Sequence, residues 1–217
     1  MKGVLLVDVT TVRAWIEQIT SDVQQHKDHL THLDSAIGDA DHGINLVRGF
    51  VAVTATLADR QPETPGELLT VVGTTLVSKV GGASGPLYGT AFRRAGKSLG
   101  AEPEVTPEGL GAALQAALDG VQNLGAAAEG DKTMVDALAP AVRAYQQALT
   151  VGASIVGAAQ AAAAAAAQGA EATIPMQALK GRASYLGPRS VGHQDPGATS
   201  TSLVLGALAA VLAGPAS

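Results

Sequence analysis

The sequence predicts an all-α fold of about eight amphipathic helices around one shared core. Apolar residues recur at intervals of three and four, strand-like alternation is hard to find, and Gly- or Pro-rich breaks separate the segments. With 47% hydrophobic but only 3% aromatic residues, this core must rely on Leu, Val and Ala. Since neither a linker nor a repeat divides the 217 residues, we expect one domain over residues 1–217.

The first helix is predicted to begin near Val9, with Thr10 or Thr11 as its cap, and to run as one helix into the acidic stretch LDSAIGDADHGIN. A single apolar stripe supports it. The stripe consists of Val12, Ile16, Ile19, Val23, Leu30 and Leu33.

The later helices follow the same spacing. An amphipathic segment follows the acidic stretch, another runs from about Pro86 to Leu99, and two stripes begin at Leu110 and Val135. The alanine-rich residues 158–169 predict a further helix that neighbours can approach closely. Asp131 and Thr133 are candidate caps for the helix near Val135. The predicted breaks are residues 61–66, 100–107, 126–131, 150–152 and 181–196.

Charge and composition exclude several classes of protein. The scattered 14 Lys and Arg against 19 Asp and Glu argue against nucleic-acid binding. The most apolar stretch, Leu203–Ala213, is about half the length that a membrane span needs, so no membrane association is expected. Asp8 interrupts the apolar run at the start, which predicts no export signal. Without cysteine there is no disulfide framework, and we expect a cytoplasmic protein.

Three carboxylates, Asp34, Asp39 and Asp41, lie within eight residues of one another. Such groups repel one another unless a cation lies between them, and Mg²⁺ or Ca²⁺ prefers oxygen ligands. A calcium EF-hand loop starting at Asp39 is excluded, because Ile44 and Phe50 occupy its required Gly and Glu positions. Two interpretations stay open: a metal and phosphate site, or a helix cap at Asp41 with two solvated turn residues.

A glycine turn, residues 81–85, precedes the predicted helix at Pro86. The backbone N–H groups of Gly82, Ala83 and Ser84 are suited to bind an anion, although an ordinary turn between helices fits equally well. His42 and Asn45 begin another helix, where a phosphate or base-edge contact is favoured, but the sequence does not support a general base there.

The nearby stretch GTAFRRAGKS imitates a nucleotide-binding P-loop but does not match one. Six residues separate Gly89 and Gly96 where the motif needs four, and no strand precedes them. By contrast, residues 181–200 form a long polar stretch whose composition favours function or docking. Arg182 within it is a candidate phosphate ligand.

Four motifs in order resemble the nucleotide-binding L subunit of bacterial dihydroxyacetone kinase: LDSAIGDADHGIN, GGASGPLYGTAF, GDKTMVDALAP and GRASYLGPRSVGHQDPGATS. The similarity covers essentially the whole chain. The same module is similar to the C-terminal domain of single-chain, ATP-dependent dihydroxyacetone kinases and, more distantly, to the N-terminal domain of fatty acid kinase. The resemblance implies eight antiparallel helices closed into a barrel, with ADP and two Mg²⁺ ions at one end.

The resemblance also implies a set of site residues. Asp34, Asp39 and Asp41 would hold the metal ions, the glycine turn would bind the phosphates, and Arg182 with residues 195–197 would close the pocket as a lid. Gly125 and residues 133–134 would lie near the adenine and ribose. The implied nucleotide-binding residues are His42, Asn45, Gly82, Ala83, Ser84, Gly125, Thr133, Met134, Arg182, Asp195, Pro196 and Gly197. No residue is assigned as a catalytic nucleophile.

The implied activity is that of an incomplete phosphotransferase. Retained ADP would accept a phosphoryl group from a phosphohistidine donor subunit and pass it to dihydroxyacetone on a separate K subunit, for which the chain has no room. Two alternatives stay open: a subunit that exchanges ATP and acts on dihydroxyacetone or a related ketose, and a non-enzymatic, nucleotide-loaded regulator of a transcription factor. Whether the chain forms a homodimer is also left open.

Overall fold

The computed structural model describes residues 6–214. Residues 1–5, with most of the apolar run considered as an export signal, and residues 215–217 lie outside this range. The described chain is almost entirely helical, which confirms the predicted all-α class. The helices are α1 (Val9–Gln25), α2 (Lys27–Ile37), α3 (His42–Asp59), α4 (Pro65–Lys79), α5 (Ser84–Leu99), α6 (Pro107–Gly125), α7 (Val135–Thr150), α8 (Ile155–Ala172) and α9 (Pro196–Ala213). A 3₁₀ helix (Arg182–Ser190) precedes α9, and β1 (Val7–Asp8) pairs antiparallel with β2 (Glu104–Val105).

The start of the chain departs from its prediction in two ways. The helix breaks at His26, whose φ of −96° and ψ of 7° separate α1 from α2. The buried residues of α1 and α2 lie on one continuous face. For this reason the apolar spacing in the sequence does not reveal the break between the two helices. Second, the cap is Asp8 rather than Thr10 or Thr11. The Asp8 carboxylate accepts from the Thr11 N–H at 2.8 Å and the Thr11 hydroxyl at 2.7 Å.

Neighbouring helices from α3 to α9 pack against one another in chain order and run antiparallel. Arg48, near the start of α3, donates from Nε to the Lys79 carbonyl at the end of α4 at 3.0 Å. A Cβ on Gly73 of α4 would lie 2.5 Å from the Gly89 carbonyl oxygen of α5. Gly89 belongs to the stretch GTAFRRAGKS, which is similar to a P-loop. It lies inside α5 at a close contact between helices, so this stretch does not form a P-loop.

Helix α1 packs against both α3 and α9. The Trp15 indole N–H donates to the Val204 carbonyl at 2.8 Å, and its ring centroid lies 5.8 Å from that of Phe92. The fully buried Phe50 and Tyr145 add the other large rings of the core. Most of the remaining core is Leu, Val, Ile and Ala, as the composition indicates.

The loops divide between two ends of the bundle because the helices alternate in direction. One end carries the β1–β2 pair and is called the strand end here. It also holds the starts of α1, α4, α6 and α8 and the loops at 60–64, 100–106 and 151–154. The other, here the cavity end, gathers the loops at 38–41, 80–83, 126–134 and 173–195.

Helix α9 is the one helix among residues 6–214 with the length and apolar composition of a membrane span. It is longer than the Leu203–Ala213 stretch suggested. However, 61% of it is buried inside the fold, and it packs against α1, α7 and α8. Burial of this kind is typical of a central core helix.

Candidate functional site

The loops of the cavity end enclose a cavity of about 280 Å³. The structure brings to its wall every residue predicted for the metal and nucleotide site except Asn45. All of them except Gly125 come from four motifs that lie far apart along the chain. Their shared location is an observation, whereas the ligand that each one binds stays a prediction.

The acidic loop supplies three carboxylates. Asp34, Asp39 and Asp41 can each offer an oxygen such that the three oxygens lie within 4.8 Å of one another. Asp34 is buried, and its Oδ2 accepts from the Asp41 N–H at 2.8 Å and the His42 N–H at 3.1 Å. The alternative of a simple cap is not supported, because the Asp41 side chain makes no capping bond. Three converging carboxylate oxygens suit a hard cation such as Mg²⁺.

Arg182 reaches the acidic loop from the start of the 3₁₀ helix. Its Nε donates to Oδ2 of Asp39 at 2.9 Å, although both side chains are partly exposed. A single ion pair of this kind adds little to stability. Its value is positional, because it brings a guanidinium to the cavity wall beside the three carboxylates.

His42 is buried and forms hydrogen bonds through both ring nitrogens. Its Nδ1 lies 3.1 Å from the Ser84 hydroxyl, and its Nε2 lies 2.8 Å from the Ser200 hydroxyl. Burial lowers the pKa of the imidazole, against the opposing effect of the three nearby carboxylates. These contacts orient a neutral ring and join the acidic loop to α5 and α9.

The hydroxyl network continues to Tyr88, which sequence analysis did not identify. The Tyr88 hydroxyl lies 2.7 Å from the Ser200 hydroxyl and 3.0 Å from that of Thr201. Burial raises the pKa of the phenol to about 12, so it is neutral near pH 7. Tyr88 and Ser200 both lie inside the quoted motifs, but their spacing does not show that they meet, because 112 residues separate them along the chain.

The glycine turn leads directly into α5. Gly82 has a φ of +63°, a conformation that favours glycine, and the first turn of α5 has no side-chain cap. Uncapped N–H groups at a helix start favour an anion. Asn45 is buried under this turn instead of lining the cavity. Its Oδ1 accepts from Nη2 of Arg48 at 2.7 Å, and a Cβ on Gly81 would lie 3.0 Å from that oxygen.

The Thr133 hydroxyl, a predicted cap, accepts from the Val135 N–H at the start of α7 at 3.1 Å, whereas the Asp131 carboxylate accepts from the Ala128 N–H within the preceding loop. Asp136, which was not predicted, also holds this loop. The Asp136 carboxylate accepts from the Gly130 N–H at 2.6 Å and the Thr133 N–H at 2.7 Å. Met134 occupies the N-cap position without a side-chain cap. Asp136 was missed because the bonds it accepts come from residues that precede it in a loop, whereas a typical cap precedes the N–H groups it accepts from.

Asp195 is the N-cap of α9, and its Oδ2 accepts from the Ala198 N–H at 2.7 Å. Its own N–H donates to the Thr173 hydroxyl at 2.9 Å. Burial raises the pKa of the carboxyl to about 7, while the bond from Ala198 and the charge of Lys132 oppose this rise. Pro196 and Gly197 follow it at the cavity wall.

Another part of the cavity wall is apolar. Gly125 lies here, where a Cβ would come within 3.4 Å of the Leu87 side chain. The apolar residues that line the cavity include Ile37, Leu87, Val121, Ala127 and Met134. Of these, sequence analysis had identified only Met134, because residues of a cavity wall follow the same helical spacing as residues of the core. An acidic part and an apolar part in one cavity suit a ligand with an anionic group and a flat apolar group.

Comparisons with known proteins identify the family and several relatives of this chain. Residues 36–210 match the DAK2 domain family. The chain is 44% identical over 200 residues to the ADP-binding subunit DhaL of the PEP-dependent dihydroxyacetone kinase of Escherichia coli K12, covering 92% of this chain and 95% of that protein. It is 36% identical over 208 residues to the ADP-binding subunit DhaL of the PTS-dependent dihydroxyacetone kinase of Lactococcus lactis, covering 96% and 100%.

A solved structure shows the same fold within a longer chain. The dihydroxyacetone kinase of C. freundii, in complex with AMP-PNP and Mg²⁺, superposes with a TM-score of 0.70 at 30% sequence identity. The match covers 95% of this chain and 35% of the kinase chain. The chain therefore spans nearly the full length of the two bacterial subunits but only about a third of that kinase.

Proposed function

The chain belongs to the DAK2 domain family, as the resemblance of its four motifs indicated, and we propose that it is the nucleotide-binding subunit of a dihydroxyacetone kinase. One observation carries this proposal: the three clustered carboxylates and the uncapped start of α5 line the same cavity as an apolar surface. When bound with Mg²⁺, ADP would accept a phosphoryl group from the phosphohistidine of a donor subunit. It would then pass this group to dihydroxyacetone held by a separate K subunit.

The residues of the chain would bind and orient rather than react. Asp34, Asp39 and Asp41 would hold Mg²⁺, whose charge offsets the repulsion between these carboxylates and the phosphates. The N–H groups of residues 82–84 would bind phosphate oxygens, with Ser84 kept in place by His42. In phosphoryl transfer, positioning and charge neutralisation of this kind provide most of the catalysis, so no nucleophile is required of the chain.

The apolar part of the cavity would bind the base and ribose. Leu87 and Val121 offer surface beside Gly125, and residues 133–134 lie at the start of α7. Arg182 and residues 195–197 would close over the phosphates. His42 would act through position alone, since its two ring nitrogens already have partners.

Membership of the DAK2 domain family also supports finer features of this proposal. We propose two Mg²⁺ ions, a single domain over residues 1–217, a cytoplasmic location, and partner subunits that supply the phosphohistidine and the ketose site. We also propose that the helices close into a barrel. This is supported by the order of packing, in which α3 to α9 each contact the next helix and α1 contacts both α3 and α9.

A second candidate is a kinase subunit that exchanges ATP at each turnover. The observation that favours it is the similarity to the C. freundii kinase, which was solved with AMP-PNP and Mg²⁺. The two candidates share the same site and differ in how long nucleotide stays bound.

The nucleotide content of the purified chain tests the proposal. We expect denaturation of freshly purified protein to release about one ADP per chain, together with Mg²⁺, even after prolonged dialysis. Chromatography with mass spectrometry identifies the nucleotide, and elemental analysis counts the metal. A chain that is empty but binds ATP reversibly favours the exchanging kinase, and one that binds neither nucleotide contradicts both.

A further inference from the structure

Lys132 is a buried cation at the cavity wall to which sequence analysis assigned no role, although it lies in the motif GDKTMVDALAP. The residue is only 1% exposed and has a φ of +61°. Its Nζ donates to the Met176 carbonyl at 3.0 Å and to the Ser190 carbonyl at 2.7 Å. These two carbonyls lie at either end of residues 176–190, here the cover segment, which contains Arg182. One ammonium group therefore joins both ends of this segment.

Other polar bonds support the same junction. The Leu179 N–H donates to the Asp131 carbonyl at 3.1 Å, directly beside Lys132. The Ser190 hydroxyl accepts from the Ala178 N–H at 2.9 Å and donates to the Gly187 carbonyl at 2.7 Å. The cover segment is thus bonded internally and to the loop before α7.

Apolar packing contributes little to holding the cover segment. Its buried contacts form a small cluster of Ala178 and Ala183 with Ile37, supported by the half-buried Leu186. Tyr185, its largest side chain, is 88% exposed. Small alanine contacts bury little apolar area, so the position of the segment depends largely on its polar bonds.

Space filling alone does not account for an ammonium at this position. Burying a charge is costly, and burial lowers the pKa of Lys132 while the charge of Asp195 opposes this effect. Methionine has a similar length and would fill the space without that cost. The ammonium does what methionine cannot, because it donates to two carbonyls that would otherwise lack this partner.

We propose that Lys132 is a positioning residue that fixes both ends of the cover segment to the loop before α7 and so holds Arg182 beside the acidic loop. As a consequence, Lys132 slows the escape of nucleotide from the cavity. Only this consequence rests on the proposed function. The mechanical role stands on the hydrogen bonds alone.

Hydrogen exchange of the nucleotide-free full chain tests the mechanical role. In Lys132→Met we expect amides within residues 176–192 to exchange about tenfold faster, while amides of α1 and α4 exchange as in the unaltered protein. Lys132→Arg should recover part of the protection, because a guanidinium also donates to carbonyls. Lys97→Met, which removes an exposed lysine from α5, is the matched control and should leave exchange of the cover segment unchanged.

Displacement of a fluorescent ADP analogue tests the consequence. We expect Lys132→Met to release the analogue about tenfold faster than the unaltered chain or Lys97→Met, a size typical of coupling between two sites. If the unaltered chain binds no nucleotide, the proposed function fails while the exchange experiment still decides the role of Lys132.

Two results would overturn the positioning role. One is protection of residues 176–192 that is unchanged in Lys132→Met. The other is faster exchange spread evenly over the whole chain, which would indicate a general loss of stability. If Lys132→Met does not fold, Lys132→Gln decides instead: its shorter, uncharged side chain should not reach both carbonyls, so exchange in the cover segment should be about threefold faster, and exchange equal to that of the unaltered protein would refute the role.

Discussion

The two ends of the bundle begin their helices differently. At the strand end, α1, α4, α6 and α8 each start with a side-chain cap, supplied by Asp8, Thr64, Thr106 and Ser154. At the cavity end, α9 is capped by its N-cap Asp195, whereas the N-cap residues of α3, α5 and α7 make no capping bond. The first N–H of α3 donates to Asp34 instead, and that of α7 donates to the Thr133 hydroxyl. A side-chain cap satisfies N–H groups that an anion would otherwise bind. The caps at the strand end therefore stabilise their helices, whereas the start of α5 at the cavity end has no side-chain cap and is available for a ligand.

Residues with strained backbone conformations are also distributed unequally between the two ends. The non-glycine residues with positive φ in the described chain are Ala40, Ala126 and Lys132, all at the cavity end. Such conformations cost free energy and persist only where the surroundings enforce them. The strand end instead buries apolar residues such as Val7, Trp15 and Val105. Changes at the strand end should thus alter unfolding, and changes at the cavity end should alter binding.

The largest effect is expected from Trp15→Ala. Loss of this buried ring and its bond to Val204 should lower the free energy of unfolding by about 3–5 kcal/mol. Nucleotide affinity of the folded variant should stay the same. Urea unfolding followed by circular dichroism measures the loss, and Trp15→Phe, which keeps an aromatic ring beside Phe92, is the milder control. A selective loss of nucleotide binding in a stably folded variant would break the comparison.

The second-largest effect is expected from Asp195, whose carboxyl should make the free energy of unfolding depend on pH. Its pKa is raised to about 7 in the fold from a reference value of 3.8, so the folded state binds the proton more tightly. Its contribution is complete below pH 3.8 and is lost as the pH rises through about 7. At 1.36 kcal/mol per unit, the change amounts to at most about 4 kcal/mol.

Asp195→Asn keeps a capping oxygen but does not titrate. Urea unfolding of nucleotide-free protein in chelator should show the free energy of unfolding falling between pH 4 and pH 7 more steeply in the unaltered chain than in this variant. Parallel profiles for the two proteins would show that the fold does not raise the pKa of Asp195.

The smallest change in stability is expected from Asp39→Asn. The substitution removes one carboxylate from the acidic cluster, so retention of Mg-nucleotide should fall about 10- to 100-fold. The free energy of unfolding should change by less than about 1 kcal/mol, since Asp39 is exposed and pairs only with Arg182. Equilibrium dialysis measures retention. The control is Asp28→Asn, a side chain 92% exposed on α2, and equal retention in both variants would refute the metal assignment.

Local sequence patterns predicted the helical class and most of the helices. The stripes near Leu110 and Val135 lie in α6 and α7, and α5 ends at Leu99 as expected. The break at His26 was missed because α1 and α2 share one continuous stripe. The cap of α1 was assigned to the wrong residue, and of the two caps predicted for α7 only Thr133 accepts from its first N–H. Several polar residues stood at each helix start, and only the loop geometry selects among them.

For the site, the sequence by itself determined where the acidic loop, the glycine turn and the polar residues of the four motifs lie, because these stretches interrupt the apolar helical spacing. Only the tertiary structure decided which apolar residues line the cavity, since Leu87 and Val121 follow the same spacing whether they face a ligand or the core. It also placed Asn45 beneath the glycine turn. The burial of Lys132 depends on carbonyls 44 and 58 residues away, and no local pattern records contacts at that distance.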